Sequence, residues 1–222
     1  MFGLQRMGGF SALLINKRHI KGPSVPNLIG LILGCFMVSS CGMVVSTRPL
    51  FDRRDADVLQ PRQGLWALVE PECHFNTSSS PAEWPNCAQA LIVEDGVAVN
   101  AKPHIPKGPL DRPIAFNLSG GSPGVIQIAR PISRDFSRWG HGYFGYRPLS
   151  TDAEGKVISA RVWPAFCTRP NPRARVTTDC WTPSAQEVRL ALQDSEIWAY
   201  EDHLSELGLT AIWVRNASPP NR

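Results

Sequence analysis

From Ala90 to Val99 the chain reads Ala-Leu-Ile-Val-Glu-Asp-Gly-Val-Ala-Val, two apolar, valine-containing runs hinged on Asp95-Gly96. Asp-Gly in that setting predicts a hairpin, because a type I′ turn needs positive φ at both central residues. The same grammar recurs along the chain. Gly64 to Val69 is an apolar segment too short for a helix and bounded by Pro61 and Pro71. Ile114 to Leu118 and Val125 to Ala129 flank the turn-forming run Ser119-Gly120-Gly121-Ser122-Pro123-Gly124, and Tyr143 to Leu149 and Lys156 to Trp163 flank Asp152-Ala153-Glu154-Gly155. Leu209 to Val214 reads as a last strand. Short strands at roughly ten-residue spacing predict a mainly β fold, a small antiparallel barrel or sandwich. Twenty prolines agree, since they interrupt helices and mark edges and turns. One helix start is legible, Ser184-Ala185-Gln186-Glu187 after Pro183, with Val188, Ala191 and Leu192 on one face. We expect this C-terminal helical segment to break between Ser195 and Trp198 and to resume through Leu204 and Leu207 before Gly208.

Six cysteines divide by position. Cys35 and Cys41 lie in the apolar run Ile-Leu-Gly-Cys-Phe-Met-Val-Ser-Ser-Cys-Gly-Met-Val-Val, and the other four form two close couples, Cys73 with Cys87 and Cys167 with Cys180. Of three possible connectivities the local one is expected, because each pair flanks a Pro-containing loop that a bridge would close. Such pairing implies an oxidising compartment. Neither couple has the two-residue spacing of zinc ligands or of dithiol redox motifs, so no metal and no cofactor is expected. Trp-Pro precedes a cysteine shortly in both Trp84–Cys87 and Trp163–Cys167, an echo that either duplication or coincidence would produce.

Arg6, Lys17, Arg18 and Lys21 are the only charges before Arg48, and setting them aside leaves 19 basic and 19 acidic residues. A neutral body lacks the basic face that nucleic-acid binding rests on. The basic segment leads into uncharged Leu28 to Val38, then Ser39-Ser40-Cys41, the layout of a secretory signal. Val38-Ser39-Ser40-Cys41 resembles the lipobox of bacterial lipoproteins. The resemblance implies cleavage before Cys41 and a diacylglycerol thioether on it, hence a membrane partner through a lipid anchor. It also implies a place in the bacterial cell envelope, and Gly42 in the following position points to the outer membrane, facing the periplasm. Ile32-Leu33-Gly34-Cys35 is a competing site, and Leu28 to Thr47 is also long enough to span a bilayer uncleaved. The domain reading is therefore residues 1–40 as signal, 41–63 as a flexible membrane tether, 64–215 as one β-rich disulfide-bonded domain and 216–222 as a disordered tail.

Two clusters could bind a ligand. In the run from Arg138 to Arg147, glycines flank His141 and let backbone approach, while Arg138, His141 and Tyr143 offer a cation, an imidazole and a ring. The same glycines would equally serve packing. Arg169, Arg173 and Arg175 lie between Cys167 and Cys180 and could hold lipid phosphate or polysaccharide carboxylate, or stand solvated. No zinc-protease helix motif is present.

Gly64-Leu65-Trp66 is similar to the Gly-x-Trp of lipocalins, whose Trp closes one barrel end against an Arg late in the chain; Arg215 or Arg175 would fill that role here. That resemblance implies a carrier of a hydrophobic ligand. Three classes of function follow: a non-enzymatic binding or envelope-assembly module with a protein or polysaccharide partner, such a carrier, or a periplasmic hydrolase. A closed barrel with an apolar cavity marks the carrier; His141 or His104 within reach of a carboxylate and a nucleophile marks the hydrolase.

Overall fold

The structure is a computed structural model, and it describes residues 42–52, 58–102, 113–131, 139–167, 179–200 and 208–217. Ten strands and one α-helix appear among them. The strands are β1 (Val44–Ser46), β2 (Gly64–Val69), β3 (Ala88–Glu94), β4 (Val97–Asn100), β5 (Ile114–Ser119), β6 (Gly124–Pro131), β7 (Trp139–Thr151), β8 (Val157–Pro164), β9 (Cys180–Trp181) and β10 (Leu209–Arg215). The helix α1 (Ala185–Tyr200) lies between β9 and β10.

Eight of the strands close into an antiparallel barrel. From β2 to β8 each strand pairs with the next, β10 fits between β8 and β2, and the β6–β7 ladder thereby closes the ring of eight. Closure removes the exposed edges that an open sheet would present. Turn chemistry sets the register at one end. Asp95 and Gly96 take φ of 47° and 76°, as a type I′ hairpin demands, and β3 and β4 pair on either side of them. The short hairpins β3–β4, β5–β6 and β7–β8 all sit at this end, and the longer connections lie at the other.

Period-two alternation sends one set of side chains inward and one outward. Two outer clusters are covered. Leu65, Ala67, Val69, Ala88 and Ala90 pack beneath the β2–β3 connection, against Trp84, Phe75 and Cys73. Val125, Tyr143 and Trp163 pack beneath α1, against Val188, Leu192 and Ala199. Val188 and Leu192 are completely buried, which stabilises the docked helix by about 1.5–3 kcal/mol each.

The helix does not break at Ser195; it is continuous to Tyr200. Ser195 is fully buried, and its Oγ accepts from Phe166 N at 2.9 Å, so this polar residue satisfies a backbone donor beyond β8. Trp163 Nε1 donates to Leu192 O at 2.8 Å, and Arg147 forks onto Glu196 at 2.6 and 2.7 Å. At the N-terminus Ser184 Oγ accepts from Glu187 N, while the Glu187 carboxylate accepts from the Thr182 hydroxyl instead of reaching back to Ser184. Leu204 and Leu207 lie outside the described residues.

The expected tether is the main correction. Its described residues belong to the domain: Met43, Val44, Val45, Phe51 and Val58 are buried. β1 pairs with β7 through Val45–Gly142 and Ser46–His141, and with β9 in parallel. The buried side chain of Gln127 then grips the strand's continuation, its Oε1 accepting from Leu50 N and Phe51 N at 2.8 and 3.1 Å and its Nε2 donating to Phe51 O at 3.2 Å. Sequence could not show this, because the partners of this polar-looking stretch lie 76 and more residues away.

Both local disulfides are present, Cys73–Cys87 and Cys167–Cys180, with Cα atoms 5.7 and 5.9 Å apart. The Trp-Pro echo has no structural counterpart: Trp84 sits in a connection before β3, Trp163 inside β8. Among the described residues no helix is long and apolar enough to cross a membrane. Cys35, Cys41 and the tail from 218 to 222 lie outside the described residues.

Candidate functional site

The inward-facing set builds the site. Trp66 and Leu68 from β2, Leu91 and Val93 from β3, Phe116 from β5, Ile126 and Ile128 from β6, and Phe144 from β7 surround an apolar cavity of about 220 Å³. Among the described residues no charged side chain is in its wall. Such a space excludes ions and favours hydrocarbon, since a charge without a partner there would cost several kcal/mol.

At the hairpin end a strap crosses the barrel. Leu59 and Pro61 face the cavity, and the strap is tied to the rim of β8 by Val157 N donating to Gln60 O and Arg62 N donating to Val157 O, both at 2.9 Å. Outside the strap lies a polar depression of about 540 Å³ lined by Arg62, Asp95, Glu154 and Lys156 among others. Pro61, Val93, Phe116 and Leu118 line both spaces, so they form the partition between them.

Gly64-Leu65-Trp66 sits at this end. Gly64 has φ of 134°, and a Cβ there would stand 2.4 Å from Arg215 O, so the backbone approach requires glycine. Trp66 is buried, faces the cavity and donates from Nε1 to Arg62 O at 2.8 Å. The arginine at this corner is Arg62, not a late one. Its guanidinium lies 4.2 Å over Trp213, the cross-strand partner of Trp66, and pairs with Asp152 at 3.0 Å. Arg215 instead donates to Thr77 O at 3.0 Å, and Arg175 lies outside the described residues. Asp152 is partly desolvated, which pushes its pKa up, but backbone donors from Lys156 and Glu154 together with Arg62 hold it below the usual carboxylate value.

The sequence-predicted cluster is split by the strand's alternation. Tyr143 is fully buried beneath α1, its ring edge-on to Phe51 and its hydroxyl against Ser46 Oγ. It is a core residue facing away from the cavity. Burial raises its pKa, with the Ser46 hydrogen bond acting the other way. His141 lies on the same outward face, half-buried and opposite Ser46 and Ala129, and burial lowers its pKa. Ser46 is the nearest hydroxyl by register, yet it is engaged by Arg48 O and Tyr143. The glycines serve packing. A Cβ on Gly142 would stand 2.8 Å from Arg130 Cδ, and one on Gly145 would stand 2.3 Å from Trp163 Cε2. Arg138, His104, Arg169, Arg173 and Arg175 lie outside the described residues. Among the described residues no group of three potential metal ligands comes together.

Sequence reasoning missed the cavity wall itself, including Gln89, the one amide side chain among its described lining residues. The signal was available: Gln89, Leu91 and Val93 share a face by period two, and a polar residue there is out of pattern. Comparison with known proteins finds no matching family model, no matching curated protein and no matching solved structure.

Proposed function

We propose that the protein is a carrier of a small hydrophobic ligand, anchored to the outer membrane by lipid on Cys41 and facing the periplasm. The observation behind this reading is a closed barrel around a cavity whose described wall is apolar except for Gln89 and carries no charge. Hydrocarbon placed there leaves water without leaving a charge unpaired, at about 25 cal/mol for each Å² of apolar surface buried. The Val38-Ser39-Ser40-Cys41 segment supports the anchor, and two disulfides fit an oxidising compartment.

The test uses the full chain in lipid nanodiscs, titrated with N-phenyl-1-naphthylamine and read by energy transfer from tryptophan, with empty nanodiscs as blank. A saturable one-to-one component is expected, lost in Ala160→Trp, which fills the cavity. Signal that never saturates, or that survives Ala160→Trp in a folded protein, overturns the carrier reading. Palmitate labelling of the wild type and of Cys41→Ala and Cys35→Ala tests the anchor separately. Label lost only in Cys41→Ala supports it, and label lost only in Cys35→Ala moves the anchor to the other cysteine.

A further inference from the structure

The inner face of the β3–β4 ladder carries two buried polar groups that the protein itself leaves unmatched, one of them, Gln89, in the cavity wall. Gln89 is 6% exposed; its Nε2 donates to Asn86 O at 3.1 Å, while its buried Oε1 has no partner. Asn100 accepts at Oδ1 from Lys102 N at 3.0 Å, while its buried Nδ2 has none. The register brings the two side chains to one face. Leu91 lines the cavity and pairs directly with Asn100, so Asn100 shares the inner face; Gln89 is two residues before Leu91 on that same face. The two are diagonal neighbours, a relation that separates Cβ atoms by roughly 7 Å. An orphan acceptor and an orphan donor thus stand on one face, and neither is bonded to the other.

Leaving a buried polar group unsatisfied costs about 1–3 kcal/mol, and natural cores seldom tolerate it without a use. Resting on the carrier reading, we infer that Gln89 and Asn100 form a docking station for a ligand that joins a hydrocarbon body to one uncharged group able both to donate and to accept, a hydroxyl above all. The hydroxyl would accept from Asn100 Nδ2 and donate to Gln89 Oε1, completing both groups at once. A carboxylate is excluded on charge, because it would present a second acceptor to Oε1 in a wall that has no cation among the described residues. The neighbouring ammonium, Lys102 Nζ, is already held by Trp84 O and Pro85 O at 3.2 and 2.9 Å. An ether or plain alkane leaves the acceptor unmatched.

The nanodisc assay then measures displacement of N-phenyl-1-naphthylamine by dodecan-1-ol, by 1-methoxyundecane and by dodecanoate, each alone. The alcohol should displace at about tenfold lower concentration than the ether, the worth of one good buried hydrogen bond. Gln89→Leu should bring the alcohol-to-ether ratio near one while still binding the fluorophore, whereas Asn100→Leu should weaken alcohol and ether alike and keep their ratio; comparing ratios cancels partition into the lipid. If the fluorophore never binds, the carrier reading falls and this inference with it. If it binds but alcohol and ether displace alike, or if dodecanoate wins, or if Gln89→Leu keeps the preference, the station is overturned alone and the two amides are bridged by water only.

Discussion

Asp179 serves two partners at once. Its Oδ1 accepts from Met43 N at 3.1 Å and its Oδ2 meets the buried guanidinium of Arg130 at 3.4 Å, so one carboxylate fastens the beginning of the domain to β6. Taking one member from a buried pair is costly, and Asp179→Ala should lower unfolding stability by about 3 kcal/mol, measured by urea titration. Asp179→Asn retains an acceptor for Met43 N and should lose less; an equal loss would mean that the charge facing Arg130, and not the bond to Met43 N, carries the whole effect. His141 gives a pH signature. Burial holds its folded pKa below the 6.5 of an ordinary histidine, so the unfolded chain takes up the proton first. Its contribution is therefore complete above pH 6.5, falls as pH drops below that value, and is gone below the lowered folded value. Compared between pH 7.5 and 4.5, His141→Gln should lose less stability than the wild type; parallel curves would refute this.

Among the elements, β7 is the most constrained, because it pairs with β6, β8 and β1. Gly145 faces Trp163 across one ladder and Gly124 faces Tyr146 across the other, with each aromatic ring lying over the glycine opposite. Gly145→Val would drive a branched side chain into a rigid indole and should cost about 1–3 kcal/mol or prevent folding. A variant as stable as wild type by thermal melting would show that the ring can swing clear. The strands were legible because turn residues punctuate them: Gly64–Val69 is bounded as expected, and Asp95-Gly96 turns as its dihedrals require. Less was visible where tertiary contacts decide. Ser195 reads as a breaker, but its hydroxyl is used by Phe166 N; Val44, Phe51 and Val58 stand too far apart in the chain for a period-two strand pattern to reveal a buried face. His141 and Tyr143 drew notice by residue type, whereas the cavity wall is made of ordinary Leu, Ile, Val and Phe that become a site only on closure.

For the whole molecule, the bridges and the N-terminal segment set the boundary conditions. Opening Cys73–Cys87 by Cys→Ser at both positions releases the connection that covers one outer cluster, and should cost about 2–5 kcal/mol, read by denaturant titration. A loss well under 1 kcal/mol would mean that Trp84 and Phe75 hold that cover unaided. The packed segment after Cys41 has a consequence for what the protein can meet. A free chain from residue 42 to 63 would let the domain range over about 25 Å. Met43 is instead already 2% exposed, two residues past the proposed acylation site. An anchor at Cys41 would hold the barrel against the bilayer with its long connections toward the lipid and its tight hairpins outward, at a height of roughly 20 Å given strand rise and tilt. Anything that exchanges ligand with this barrel must then come to the membrane surface, for the protein has no slack with which to go out and find it.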